Sequence, residues 1–213
     1  MAKHKPEIWT PEMGGKNTLV LVADVETTGL PITWAARYSE VDNWPHITQV
    51  GFGIWNTWGN EVLFESTLIK PDKWTVPTTP FFIENNMSTE RCEREGKPIR
   101  EVMDRFVNLA RIADVLVFHN ASYDWNVIRA TLVRIGMPIP KVKEIYCTKL
   151  ESTDVLKLPG HRPGTYKWPS LEELSQFLLG KSVEGAHDAG VDVRATAECY
   201  FALKAYKEMQ DLF

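Results

Sequence analysis

Residues 19–30, LVLVADVETTGL, constrain the fold more than any other stretch of the chain. The segment opens on a run of apolar residues, so a strand here is buried on both faces, as in the middle of a sheet. Asp24 and Glu26 follow, two residues apart. If the strand continues through them, alternation puts both carboxylates on the same face at close quarters. Left unneutralised, each repels the other and raises its pKa; a divalent cation removes that penalty and turns the pair into ligands. The other reading of DVETTG is that the strand has already ended and both side chains are solvated in a turn. These residues alone leave both readings open.

The rest of the chain supplies partners for such a strand. Residues 18–25 and 47–55 (ITQVGFGIW) are rich in β-formers, and Gly59–Asn60 turns the chain into a third strand, EVLFESTLIK, so the second and third form a hairpin. Between the first two, PITWAARYSEVDNWPH has no sustained period and reads as an extended loop beside the end of strand one. An irregular proline-rich stretch follows Pro71. Helical spacing then runs from about residue 98 to 112, with Ile99, Val102, Met103, Phe106 and Leu109 on one stripe. ADVLVFHN reads as a strand, and ASYDWNVIRATLVRIG as the helix after it, closed by Gly136. EIYCT supplies a fifth strand. Residues 151–170 form a loop rich in proline and glycine that carries Lys157, His161, Arg162 and Lys167. Ser170 caps a short helix, LEELSQFL, and a long helix spans about 188–210. Strands followed by alternating helix and strand give an α/β fold, a mixed sheet with helices on its faces.

Composition narrows the classes. With 213 residues the chain suits one domain, here 17–213, behind a flexible polar lead-in over 1–16 that lacks the apolar core of a secretory signal. No apolar run approaches the roughly 20 residues that span a bilayer, so no membrane partner is expected. Cys92, Cys147 and Cys199 are scattered and odd in number, as suits reduced thiols in the cytoplasm; any metal must be held by oxygen. The net charge of −4 weakens a duplex-coating role, though it does not exclude an enzyme that grips a strand end through bound cations. Eight tryptophans is a high count, read first as packing and second as base stacking.

Two further acids matter beside Asp24 and Glu26. Asp124 stands just inside the helix after LVFHN, and Asp192 one turn into the last helix. Singly, each is an acid favoured at a helix N-terminus. Together the four make an oxygen donor set of the kind that Mg²⁺ or Mn²⁺ prefers.

On these motifs the chain resembles the DEDD exonuclease superfamily, in the DEDDh branch that includes the proofreading subunit of bacterial replicative polymerases, ribonuclease T and the TREX type. D-x-E-T-T-G stands as Asp24, Glu26, Thr27, Thr28 and Gly29; H-N-A-x-[FY]-D as His119, Asn120, Ala121, Tyr123 and Asp124; H-D-A-x-x-D as His187, Asp188, Ala189 and Asp192. Asp188 stands where the tyrosine branch has its tyrosine, which excludes that branch. The resemblance covers about residues 17–205. Trp125, the long loop after Leu30 and the basic loop before the last two helices depart from the family pattern.

The resemblance implies a ribonuclease H-like mixed five-stranded sheet, second strand antiparallel, and two Mg²⁺ or Mn²⁺ ions per site. Asp24 would bridge the ions, Glu26 and Asp192 would complete one shell, and Asp124 would hold the other. His187 would be the general base; since an unbroken helix sets positions 187 and 192 about 140° apart, it belongs on the loop before the helix. Thr27, Thr28, Gly29 and Leu30 would contact the terminal nucleotide, with His119 and Asn120 either beside it or merely satisfying backbone groups. The implied activity is 3′–5′ exonucleolytic release of nucleoside 5′-monophosphates from single-stranded ends, DNA before RNA. The rivals are an exoribonuclease trimming RNA ends and a silent nucleic-acid or clamp-binding module. Lys157, Arg162 and Lys167 are candidates for phosphate contact or for a solvated face. The C-terminal MQDLF resembles a sliding-clamp docking peptide, against the simpler reading of a helix end with Leu212 and Phe213 packed down. A homodimer is left open.

Overall fold

The computed structural model describes residues 18–212. Strands β1 (Val20–Thr27), β2 (Ile47–Trp55), β3 (Glu61–Leu68), β4 (Val115–Phe118) and β5 (Ile145–Cys147) form a sheet in the order β3-β2-β1-β4-β5. β2 runs antiparallel to both β1 and β3, whereas β4 is parallel to β1 and β5 to β4. This is the expected mixed five-stranded α/β sheet. The helices are α1 (Pro80–Glu84), α2 (Thr89–Glu95), α3 (Ile99–Ile112), α4 (Ala121–Arg134), α5 (Thr148–Glu151), α6 (Thr153–Leu156), α7 (Leu171–Leu179) and α8 (Ala189–Gln210).

β1 lies at the centre and serves both faces. Leu21, Ala23 and Val25 pack with Phe52, Phe106 and Ile128 against α3 and α4, while Val20 and Val22 meet Val193, Ala197 and Tyr200 of α8. Each large apolar side chain so buried contributes roughly 1.5–3 kcal/mol. Trp125, a departure from the family pattern, is a core residue, 6.4 Å from Phe106 and 6.3 Å from Phe118 between ring centroids.

β1 runs two residues further than its apolar pattern suggests. Glu26 pairs with Gln49 and Thr27 with Ile47, after a register irregularity, so ladder bonds with β2 carry the strand past the end of its hydrophobic run. That removes the reading of DVETTG as a solvated turn. Gly51, opposite Asp24, then lets α8 approach: a Cβ there would sit 2.3 Å from the Ala189 carbonyl oxygen. Backbone contact at this point brings the first turn of α8 against β2, beside the carboxylates.

Other expectations need correction. The stretch after Pro71 contains α1 and α2, and the loop assigned to 151–170 begins with α5 and α6. These helices of four to seven residues are too short for a periodic signal. Leu212 does not pack down: it is exposed, as is Met209, and Phe213, like the lead-in 1–16, lies outside the described residues. Among the described residues no helix is long and apolar enough to cross a membrane. All three cysteines are free and buried.

Candidate active site

Three elements deliver the four carboxylates to one place. Asp24 and Glu26 leave β1 on the α8 side, alternating with the buried Ala23 and Val25. β4 neighbours β1, so the helix that follows it starts beside the carboxyl end of β1; there Asp124, 3% exposed in the first turn of α4, accepts a hydrogen bond from the Val25 N–H at 3.3 Å. Asp192 lies in the first turn of α8. Its carboxylate accepts the His187 N–H at 3.1 Å, and ligand atoms of Glu26, His187 and Asp192 all lie within 4.8 Å of one another.

Asp188 has a different task. It is the N-cap of α8, accepting from the N–H groups of Gly190 (2.9 Å) and Val191 (3.2 Å) and from the Gln49 side-chain amide (2.9 Å). Cap and glutamine together fix where the helix starts. His187 precedes the cap with φ +69°, outside the helix as expected, exposed, and with Phe81 edge-on at 5.2 Å.

The electrostatics are those of a crowded acidic pocket. Burial, then Asp124 and Glu26, pushes the Asp24 carboxyl well above the ordinary range. Burial and then Asp192 lift Glu26 to about 8. Burial lifts Asp124 to about 7 even though the Val25 N–H opposes it, and also raises Asp192. Among the described residues none of the four forms an ion pair with lysine or arginine. Lys149 acts on Asp124 only at longer range than an ion pair, and carboxylates held together with so little counter-charge, with an imidazole at the edge, fit hard divalent cations, which would supply the missing charge.

The remaining expected residues scatter between function and support. The Thr27 hydroxyl donates to the Gly29 carbonyl at 2.7 Å and meets the Tyr123 hydroxyl at 2.5 Å, while the Thr28 hydroxyl accepts the His46 N–H at 3.1 Å. Both hydroxyls thus shape the turn after β1. Leu30 projects from that turn, 74% exposed and lining the cleft. Asn120 lies on the cleft wall as the N-cap of α4. His119 bridges the Thr148 hydroxyl (2.9 Å) and the Pro169 carbonyl (3.2 Å), and burial lowers its pKa to about 4, so as a neutral imidazole it joins the start of α5 to the loop before α7. Of the basic residues Lys157, His161, Arg162 and Lys167 only Lys167 lines the cleft, and its ammonium bonds Glu173 at 2.5 Å.

The cleft above the carboxylates has a volume of about 550 Å³, large enough for a nucleotide-sized ligand. Trp34, Lys149 and Trp168 line it, and the sequence reading assigned none of them to the site. Lys149 is reached only through the parallel pairing of β4 and β5, a tertiary relation with no local signal.

The family model described as Exonuclease, of the RNase_T type, matches residues 21–200. A PolC-type DNA polymerase III of Caldanaerobacter subterraneus subsp. tengcongensis is 27% identical over 194 residues, 90% of this chain and 12% of that protein. RNA exonuclease 1 of Saccharomyces cerevisiae is 30% identical over 142 residues, 65% of this chain and 22% of that protein. Among solved structures, E. coli exonuclease I in complex with a dA16 oligonucleotide superposes with a TM-score of 0.69 at 17% identity, covering 90% of this chain and 42% of that one. The exonuclease I of Methylocaldum szegediense gives 0.67 at 18% identity, covering 90% and 41%. The chain therefore spans well under half the length of these relatives. Sequence motifs, a ribonuclease H-like sheet and a family model that matches most of the chain converge: the chain belongs to the RNase_T exonuclease family.

Proposed function

We propose that the chain is a divalent-cation-dependent 3′–5′ exonuclease acting on unpaired DNA ends, with residues 17–213 as its catalytic unit. The carrying observation is the convergence of Asp24, Glu26, Asp124 and Asp192 from β1, α4 and α8 with no lysine or arginine in ion-pair contact among the described residues. In this reading Asp24, Glu26, Asp124 and Asp192 would hold Mg²⁺ or Mn²⁺. When bound, the ions supply Lewis acidity at the scissile phosphate and offset the charge that develops on the leaving oxygen.

The protein's own groups do the rest. His187, on its exposed loop, takes the proton from the attacking water, whose oxygen forms the new bond to phosphorus. The bond from phosphorus to the penultimate nucleotide's 3′ oxygen breaks, and that oxygen is protonated from solvent. The products are a nucleoside 5′-monophosphate and a strand shortened by one nucleotide. Leu30 stands where it would lie against the terminal bases, and the Thr27–Tyr123–Gly29 hydrogen bonds hold the turn that carries it.

Support for DNA comes from the oligonucleotide complexes of the E. coli exonuclease I neighbours; the yeast RNA exonuclease keeps RNA ends as the second reading. Matched 5′-labelled DNA and RNA oligonucleotides incubated with Mg²⁺, Mn²⁺ or chelator test both. A ladder shortened from the 3′ end, dependent on cation and faster on DNA, is expected. A large RNA preference overturns the substrate, and chelator-resistant digestion overturns the mechanism.

A further inference from the structure

The described tryptophans divide by position. Trp44, Trp55 and Trp125 are buried, and Trp74 stacks on His46 at 5.5 Å. Trp34, Trp58 and Trp168 are exposed, at 59%, 64% and 60%. Trp58 sits in the turn between β2 and β3; Trp34 and Trp168 line the acidic cleft. Leaving an indole in water forgoes a large burial gain, so two at one cleft call for an occupant.

These two come from the loops in which the chain departs from its family pattern, one after β1 and one before α7. The first loop packs on α4, where Arg134 donates to the Val41 and Trp44 carbonyls, and the second follows β5 and α6, with Trp168 beside Lys149 of α5. Each ring is held in place. Trp34 lies 5.8 Å from Tyr123, and its loop is tied down by Asn43, which accepts the Thr33 N–H at 2.8 Å and donates to the Thr33 carbonyl at 3.0 Å. Trp168 is flanked by Lys167, whose N–H bonds the Leu158 carbonyl at 3.0 Å, and by Pro169, whose carbonyl meets His119 at 3.2 Å. The Lys149 ammonium sits 5.2 Å from the Trp168 ring, and among the described residues it has no carboxylate in ion-pair contact.

We propose that Trp34 and Trp168 are two base-stacking platforms on the walls of the cleft, with Lys149 beside the second to meet a backbone phosphate. They would select unpaired nucleotides, because a base within a duplex has both faces covered and cannot lie on an indole. The reading rests on the nuclease assignment for where the strand ends, but the platforms act in binding and are tested there.

The test is fluorescence anisotropy of a 5′-labelled single-stranded 12-mer carrying hydrolysis-resistant phosphorothioate linkages at its 3′ end, in Mg²⁺, against a blunt hairpin. Trp34→Ala and Trp168→Ala are each expected to raise Kd for the strand about tenfold. Trp168→Phe should stay within about threefold, since stacking tolerates a smaller ring, and Trp58→Ala should match wild type. Kinetically, the alanine variants raise KM while kcat stays nearly unchanged. Normal strand affinity in both alanine variants, an equal loss in Trp58→Ala, or a wild type that binds no strand overturns the proposal. A wild type that binds through these tryptophans yet cleaves nothing supports the platforms and sinks the nuclease reading alone. An active enzyme whose alanine variants bind normally does the reverse.

Discussion

The two helices that bring acids to the site do so in different ways. α4 starts directly after β4, and Asp124 is buried and tied to the Val25 N–H of the neighbouring strand. α8 starts far along the chain, positioned by Gly51, by the Asp188 cap and by Gln49; Asp192 is only half-buried and faces the exposed His187 loop. One side of the site is fixed by the sheet. The other is fixed by a helix end and carries an imidazole exposed to solvent, where the proposed general base could exchange its proton with water. A buried wall with a solvent-exposed edge is what the difference teaches.

That contrast breaks most severely at its rigid side. Asp24→Asn or Asp124→Asn is expected to lower kcat on the order of 10³-fold, because each removes charge that holds the cations while leaving an isosteric side chain. The check is 3′-end digestion kinetics; activity within tenfold of wild type refutes the assignment. His187→Ala probes the exposed edge. A loss of about 10²-fold or more in kcat is expected, with the thermal stabilisation by Mg²⁺ largely retained, since the imidazole moves a proton while the carboxylates hold the charge. Loss of that stabilisation would make His187 a ligand instead.

Gly51→Ala attacks the seat of α8. The added methyl would press on the Ala189 backbone, and a destabilisation of about 1–3 kcal/mol by denaturant titration is expected, together with lower activity. The smallest effect belongs to the wall formed by α7. Ser170 and Glu173 make a reciprocal capping box there, and Ser170→Ala should cost about 1 kcal/mol with kcat unchanged.

Much of this was legible in the sequence because the signals are local. β1 and its acids, the β4–α4 unit, the Ser170 cap and the position of His187 before α8 each rest on residues close together in the chain. Where the sequence reading stopped short, the cause lies in contacts between distant segments. β1 continues through Glu26 and Thr27 because β2 supplies the partners, which an apolar pattern cannot register. Helices α1, α2, α5 and α6 are too short for periodicity to declare them. Asp188 looked like one more acid of a motif, and only the Gln49 amide and the first N–H groups of α8 reveal a cap. Lys149 and Trp168 met through the order of the sheet, with nothing in their own surroundings to announce it.

The crowded carboxylates also set a pH signature. Folding lifts Glu26 to about 8 and Asp124 to about 7, whereas carboxyls of the unfolded chain titrate near ~4. The cation-free folded protein therefore binds more protons than the unfolded chain in that window, and its stability falls as pH rises from about 4 to about 8. Mg²⁺ should reverse the trend, raising Tm more at about pH 8 than at about pH 5, where protons already occupy the oxygens.

The central claim is that four acids from three elements form one seat for paired cations. Calorimetric titration with Mn²⁺ at about pH 8 reads this directly, where protons compete with the cation for the oxygens less than they do at lower pH. The expected result is two ions per wild-type chain and the loss of at least one in Asp24→Asn. A wild type that takes up no Mn²⁺, or an Asp24→Asn protein that binds the same number with the same affinity, would contradict it.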